Sequence, residues 1–287
     1  MSKRKRHTRQ PEVRLNQTSS SYTIDIIVPV YQRFDLLGEC LRSIPAATDN
    51  YMYRIIIVDN GSPKEVADSF YANLNDPAIK IIRNKENMGF PRACNQGFDR
   101  GHSPYVMFLN DDVILQEKSI RYMIEELNSD PKLGIVGMKL IFPEQTDLPQ
   151  NDQQRPAGKI QHVGLATNIR AEVYHQFIGW SPDNPKVLAV RDAYAVTGAA
   201  MMTRRALFTK AGRFFEGYGA GTYEDMDFCL TVRQMGYNII VCQNAVGIHH
   251  TGATAQTYNI GFPLNENKML FMQRWQKLLD WSEWWSA

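Results

Sequence analysis

The chain has 287 residues, 44% of them apolar and 22% charged, with 32 basic and 30 acidic side chains giving a net charge of +2. That length and apolar share suit one large domain or two modest ones with a real core, and they exclude disordered, collagen-like and disulfide-scaffold classes. The longest apolar runs, such as Ile24–Val30, fall far short of the roughly 20 residues of a membrane-spanning helix; with no charged-then-apolar leader and no zinc-like spacing among Cys40, Cys94, Cys229 and Cys242, we expect a cytoplasmic protein with reduced thiols and no integral membrane segment.

Charge is unevenly placed. Residues 1–14 hold six basic side chains and one acid, Glu12, so the remainder carries a net −3. Residues 1–22 therefore read as a disordered basic arm, which brings an anionic acceptor within range and leaves a position peripheral to a membrane open. From Ile24 onward, short Ile- and Val-rich runs alternate with helix-like stretches. Strands are expected at Ile24–Val30, Arg54–Val58, Ile79–Arg83, Tyr105–Leu109 and Ile135–Leu140, and helices at Asp35–Ile44, Pro63–Leu74, Pro91–Arg100 and Lys118–Asn128. Strand, helix and strand recur at the length of a βαβ unit. That order implies a parallel sheet covered on both faces, with ligands outside the carboxyl ends of its strands.

Residues 143–190 turn polar and lose periodicity, as an acceptor-binding insertion would. Short strands are expected there near Lys159–Gly164 and Glu172–Phe177, and His162 and His175 receive no role. A strand follows at Tyr194–Met202, then a helix at Arg204–Ala211 that stops at Gly212. After the glycine-rich run Gly217–Gly221 come a helix at Glu224–Met235 and a last strand at Asn238–Cys242, trailed by His249-His250. The tail from Leu264 to Trp285 reads as an amphipathic helix whose Phe271, Trp275, Leu278 and Leu279 stripe packs inward. The tryptophan-rich end leaves open a dimer surface or a lid, and the sequence does not fix an oligomeric state.

Two acidic groups stand just after strands on one rim: Asp59 in Val58-Asp59-Asn60-Gly61-Ser62, which also reads as a turn, and Asn110-Asp111-Asp112. Adjacent aspartates repel unless a cation or several donors neutralise them. No G-x-G-x-x-G follows the first strand and no G-x-x-x-x-G-K-[ST] occurs anywhere, which disfavours a nicotinamide dehydrogenase or a P-loop NTPase. A nucleotide remains compatible if a hard divalent cation, held on carboxylates, neutralises its diphosphate.

The order of these motifs resembles the family 2 glycosyltransferases of GT-A fold over about Asp25–Ala255. The resemblance rests on Ile27-Val28-Pro29-Val30-Tyr31, on Val58–Ser62, and on Asn87-Met88-Gly89-Phe90-Pro91-Arg92-Ala93-Cys94-Asn95-Gln96-Gly97. Asn110-Asp111-Asp112 stands at the family's D-x-D position, and Tyr223-Glu224-Asp225 with Asp227 at its "ED" position. It implies an α/β fold: a Rossmann-like, mostly parallel sheet flanked by helices, a small mixed second sheet and a C-terminal helix. Residues 23–142 would be the nucleotide-sugar-binding half, 143–256 the acceptor-binding and catalytic half of the same domain, and 257–287 a helical tail.

The resemblance also implies roles. Asp59 would accept from the base of a UDP-, dTDP- or GDP-sugar, and Pro29, Tyr31, Arg33, Asn87, Gly89, Arg92, Asn95 and Asn110 would line the donor pocket. Asp111 would face the ribose or the metal, and Asp112 would ligate Mn²⁺ or Mg²⁺ on the diphosphate, joined by His249 or His250. Asp225 would be the general base that deprotonates an acceptor hydroxyl of unknown class in an inverting displacement. Glu224 would orient that hydroxyl or start the helix, while Gly198 and Ala199 leave room for the sugar. Asn110 departs from the aspartate frequent at that place, which reduces the carboxylates available to a cation. A sugar nucleotidyltransferase is the alternative enzyme, although its G-x-G-T-R loop is missing after the first strand. A carbohydrate- or nucleic-acid-binding module of the same fold is the non-enzymatic one.

Overall fold

The computed structural model describes residues 23–144, 156–168, 171–251 and 261–276. The basic arm, the end of the tryptophan-rich tail and the stretch Gly252-Ala253-Thr254 lie outside the described residues.

Five elements open the fold: β1 (Ile24–Val30), α1 (Phe34–Thr48), β2 (Tyr53–Asp59), α2 (Lys64–Tyr71) and β3 (Ile79–Arg83). They are followed by α3 (Phe90–Arg100), β4 (Tyr105–Leu109), β5 (Val113–Leu115), α4 (Ser119–Ser129) and β6 (Leu133–Ile141). Strands β1, β2, β4 and β6 are near-continuous apolar runs because both faces of the sheet are covered there, whereas the edge strand β3 leaves Lys80, Ile81 and Arg83 exposed. Ile24, Ile26 and Val28 pack with Leu37, Cys40 and Ile44 of α1 and with Met123 and Ile124 of α4. Ile27, pointing the other way, joins Ile56 and Phe108 against Ala93 and Phe98 of α3.

The second half adds β7 (Ile160–His162), β8 (Leu165–Thr167), β9 (Val173–His175), α5 (Pro185–Leu188), β10 (Ala200–Arg204), α6 (Arg205–Lys210), α7 (Glu224–Gln234), β11 (Asn238–His249) and α8 (Leu264–Trp275). The main sheet runs β3-β2-β1-β4-β10-β6-β11-β5, with β7 also paired to β6. Strands β3, β2, β1 and β4 are mutually parallel, as are β6 and β11. However, β10 enters antiparallel between β4 and β6, and β5 and β7 are antiparallel edge pieces. The main sheet is therefore mixed. The small second sheet is a two-stranded antiparallel pair, β8 with β9, and not the mixed sheet expected.

Two further expectations are corrected. The strand expected at Tyr194–Met202 begins only at Ala200, because Thr197 and Gly198 give their backbone N–H groups to side chains, His162 and Asp225, instead of to a ladder. The last strand does not stop at Cys242 but runs to His249 through a bulge between Cys242 and Val246. All four cysteines are free and buried. Among the described residues, no helix is long and apolar enough to cross a membrane.

Candidate active site

The carboxyl ends of β1, β2 and β4 open onto a cavity of about 400 Å³, whose walls include Pro29, Tyr31, Asn60, Asn87, Asn110, Asp111, Asp112, Gly198, Ala199, Glu224, Asp225 and His249. A second cavity of about 390 Å³ shares Tyr31, Asn87 and Ala220 with it and adds Gly89. Hence most of the residues singled out in the sequence line one or other of these two neighbouring cavities.

Some do not. Asp59 is 1% exposed and turned into the fold, accepting from the Ser62 backbone N–H at 2.9 Å and pairing with Arg83 at 3.2 Å; its neighbour Asn60 forms the wall instead. Asn95 exchanges hydrogen bonds with the Phe214 backbone and donates to Glu216, which ties α3 to the loop after α6. Arg92 is half-exposed and 3.9 Å from Glu216. Arg33 forks onto Asp35 at 3.0 and 2.8 Å, although its charge still reaches Asp111. Asp227 anchors Tyr218, Arg274 and Trp275 in the core.

The acidic pair follows β4 in a turn pinned by Asn110, whose N–H donates to the Ala199 carbonyl at 2.9 Å. Asp111 and Asp112 are 7% and 5% exposed. Burial, and then the charge of Asp112, pushes Asp111 well above the ordinary carboxylate range. The charged form of the His249 ring would hold Asp112 below its ordinary value, against its own burial. That ring lies with Nε2 3.1 Å from Asp112 Oδ1. His250 instead gives its backbone N–H to the Asp112 carbonyl, so His249 is the histidine that faces the pair.

Among the described residues, no donor reaches the buried Asp111 Oδ2. An orphaned carboxylate oxygen beside a second carboxylate and an imidazole suits a hard divalent cation. No three His, Cys, Asp or Glu side chains among the described residues could hold a metal by themselves. A cation here would take its remaining ligands from water or a bound diphosphate.

Across the cavity, α7 begins with two non-glycine residues in left-handed backbone, Thr222 (φ 77°) and Tyr223 (φ 70°). Such strain costs about 1–3 kcal/mol per residue and persists where the surroundings impose it. It delivers Asp225 to the wall, where Oδ2 accepts from Gly198 N–H at 3.0 Å and Oδ1 from Met226 N–H at 2.7 Å. Burial raises the affinity of Asp225 for a proton, and those N–H groups restrain the rise. Glu224 is 6% exposed, and Oε2 has no hydrogen-bond donor among the described residues. Burial first and the Asp225 charge second push it up to about 8. A Cβ on Gly198 would come within 3.2 Å of the Phe90 ring and 3.6 Å of Asp225 Cβ, so the small residue keeps this wall open.

Asn60, Gln161, His175, Thr197, Thr222 and Phe262 also line the cavity without having been singled out as site residues. Their signal was faint. An amide or hydroxyl beside a known carboxylate motif has no spacing of its own, and His162 and His175 sit in a polar stretch without periodicity.

Residues 25–208 match the family model described as Glycosyl transferase family 2. The chain is 25% identical over 241 residues to the O-antigen biosynthesis protein RfbC of Myxococcus xanthus, covering 80% of this chain and 17% of that relative. It spans a quarter or less of the length of the first two curated relatives it matches. Among solved structures it superposes on GalNAc-T7 with UDP, GalNAc and Mn²⁺ at a TM-score of 0.63 and 14% identity, covering 80% of this chain and 44% of the other. It also superposes on the mannosyltransferase PcManGT of Pyrobaculum calidifontis with GDP-Man and Mn²⁺ at 0.56 and 16% identity, covering 91% and 71%.

Proposed function

The chain belongs to glycosyl transferase family 2, and from that premise we propose that it is a glycosyltransferase, moving a sugar from a UDP-, dTDP- or GDP-sugar to an acceptor hydroxyl with inversion. One observation carries this reading: Asp111 and Asp112 on one wall and Asp225 on another face the same cavity.

Asn60, Asn87 and Tyr31 would hold the nucleoside end, since the Asn60 and Asn87 amides are already locked to one another at 2.8 Å and to the Met88 and Gly89 N–H groups. Asp112 and His249, with Asp111, would hold Mn²⁺ or Mg²⁺. When bound, that cation stabilises the charge that gathers on the departing nucleoside diphosphate, worth several kcal/mol. Gly198 and Ala199 leave space for the sugar ring. Asp225 removes the acceptor proton as the hydroxyl oxygen attacks the anomeric carbon and the sugar–phosphate bond breaks, a single displacement on the opposite face. Its raised proton affinity makes it a stronger base, and general-base assistance contributes typically 10²–10⁴-fold. The Gly198 and Met226 N–H groups aim its carboxylate without protonating it. Glu224, one residue earlier on the same wall, would hold its proton near neutral pH and donate to an acceptor hydroxyl.

The test is nucleotide release from UDP-, dTDP- and GDP-sugars with Mn²⁺ and candidate acceptors. Asp225→Asn is expected to lower kcat by about 10²–10⁴ while donor binding persists. No release with any donor, or an Asp225→Asn enzyme of full activity, overturns the assignment.

A further inference from the structure

A chain of hydrogen bonds runs behind the cavity wall, and the reaction as described does not use it. It starts from a group that can only donate. The Thr197 backbone N–H meets His162 Nε2 at 3.3 Å, so that nitrogen accepts and the ring proton sits on Nδ1. The ring is fully buried, and burial, followed by the neighbouring His175, disfavours its charged form. His162 Nδ1 lies 2.9 Å from His175 Nδ1, which must therefore accept. Gln161 Nε2 approaches that same His175 atom at 3.4 Å. Because Oε1 would repel the accepting His175 Nδ1, Gln161 keeps Nε2 on that side and turns Oε1 to His249 Nδ1 at 3.2 Å, from which His249 donates. A neutral His249 then presents its Nε2 lone pair to Asp112 Oδ1 across 3.1 Å. Two acceptors face one another there, an arrangement that a cation satisfies.

We propose that Gln161, His175 and His162 form a positioning relay that holds His249 in its Nδ1–H tautomer, reserving Nε2 for the divalent cation it shares with Asp112. The proposal rests on the metal-dependent reading above. None of the three touches the reacting atoms; each acts through His249. A ligating histidine whose second nitrogen donates to a fixed oxygen is oriented and made more basic, and loss of such a partner typically weakens metal binding 10–100-fold. The relay also joins the two sides of the site. Thr197, its first donor, precedes Gly198, whose N–H aims Asp225.

The decisive measurement is a long-range ¹H–¹⁵N spectrum of the metal-free full chain with labelled histidine at pH 8, His249 being assigned from His249→Asn. The expected pattern is Nδ1–H for His249 and His162 and Nε2–H for His175. A His249 that carries a proton on Nε2 overturns the relay, and the tautomer itself is read on the wild-type chain. Mn²⁺ binding in the presence of UDP, followed by electron paramagnetic resonance, then compares wild type with Gln161→Leu. The variant is expected to bind Mn²⁺ about 10–100-fold more weakly. Equal affinity overturns the relay and leaves the glycosyltransferase reading standing. No Mn²⁺ binding by the wild type overturns the metal-dependent reading itself.

Discussion

Glu224 is where pH acts on the fold through a single side chain. Its carboxyl titrates at about 8 when folded against 4.5 in the free residue. Between those values the native state keeps a proton that the unfolded chain has released, so stability falls as pH rises. The contribution is fully present below about 4.5 and is gone once pH passes about 8. Glu224→Gln cannot lose a proton and is expected to gain melting temperature relative to wild type as pH climbs from 5 to 9; a difference that stays flat across that range refutes the account. Carboxylates were the part of the site legible in the sequence: Asp111 and Asp112 because adjacent aspartates after a strand need a reason, and Asp225 through the resemblance to the family. Gln161 and Thr197 were not legible. Their importance lies in which atoms of His249 and Asp225 they contact, and those partners are 88 and 28 residues away.

At the scale of elements, the apolar runs gave β1, β2, β4 and β6 closely, since a run covered on both faces has to be largely apolar, and the Ile residues of the edge strand β3 sufficed to mark it. Strand β5 escaped because it is only three residues long. The late start of β10 escaped because Ala195 and Val196 are as buried as a strand would be, while the backbone after them serves the site. Helix α3 shows how an element positions the cavity. It begins after Gly89 at φ 84°, and a Cβ there would lie 1.8 Å from the Gly219 carbonyl oxygen, a backbone atom with no room to yield. Phe90 N–H donates to the Ala220 carbonyl at 3.2 Å, so the helix start and the glycine-rich run are one joint. Gly89→Ala combines a left-handed backbone with that clash and is expected to cost on the order of 2 kcal/mol or more in urea unfolding. Donor affinity should fall with it, because Asn87 and Ala220 flank the joint; wild-type stability and affinity in this variant refute the account.

Across the whole molecule, the C-terminal helix closes back onto the rim that the early strands build. Periodicity made α8 visible as a helix, but nothing local to its sequence says where it docks, because its partners lie 45 to 49 residues earlier. The docking is polar at its centre. Asn267, 3% exposed, donates to the Tyr218 carbonyl at 2.9 Å and the Gly221 carbonyl at 2.7 Å. Two turns further on, Arg274 and Trp275 both donate to Asp227 Oδ1, at 2.7 and 2.8 Å. The loop held this way supplies Ala220, Gly221 and Thr222 to the cavity and leads into the strained start of α7 that carries Asp225. An amide that satisfies two buried carbonyls is costly to remove, about 1–3 kcal/mol, because the carbonyls lose their partner without regaining water. Asn267→Ala should therefore destabilise by that amount and, in hydrogen exchange, speed the Gly219 and Gly221 amides, which close the turns onto Glu216 and Tyr218, more than those of β1. If the exchange rates of the two regions rise equally, the helix stabilises the fold as a whole and does not brace the loop. If only the loop amides accelerate and the KM for donor rises with them, the distant helix sets the geometry in which the base meets the sugar.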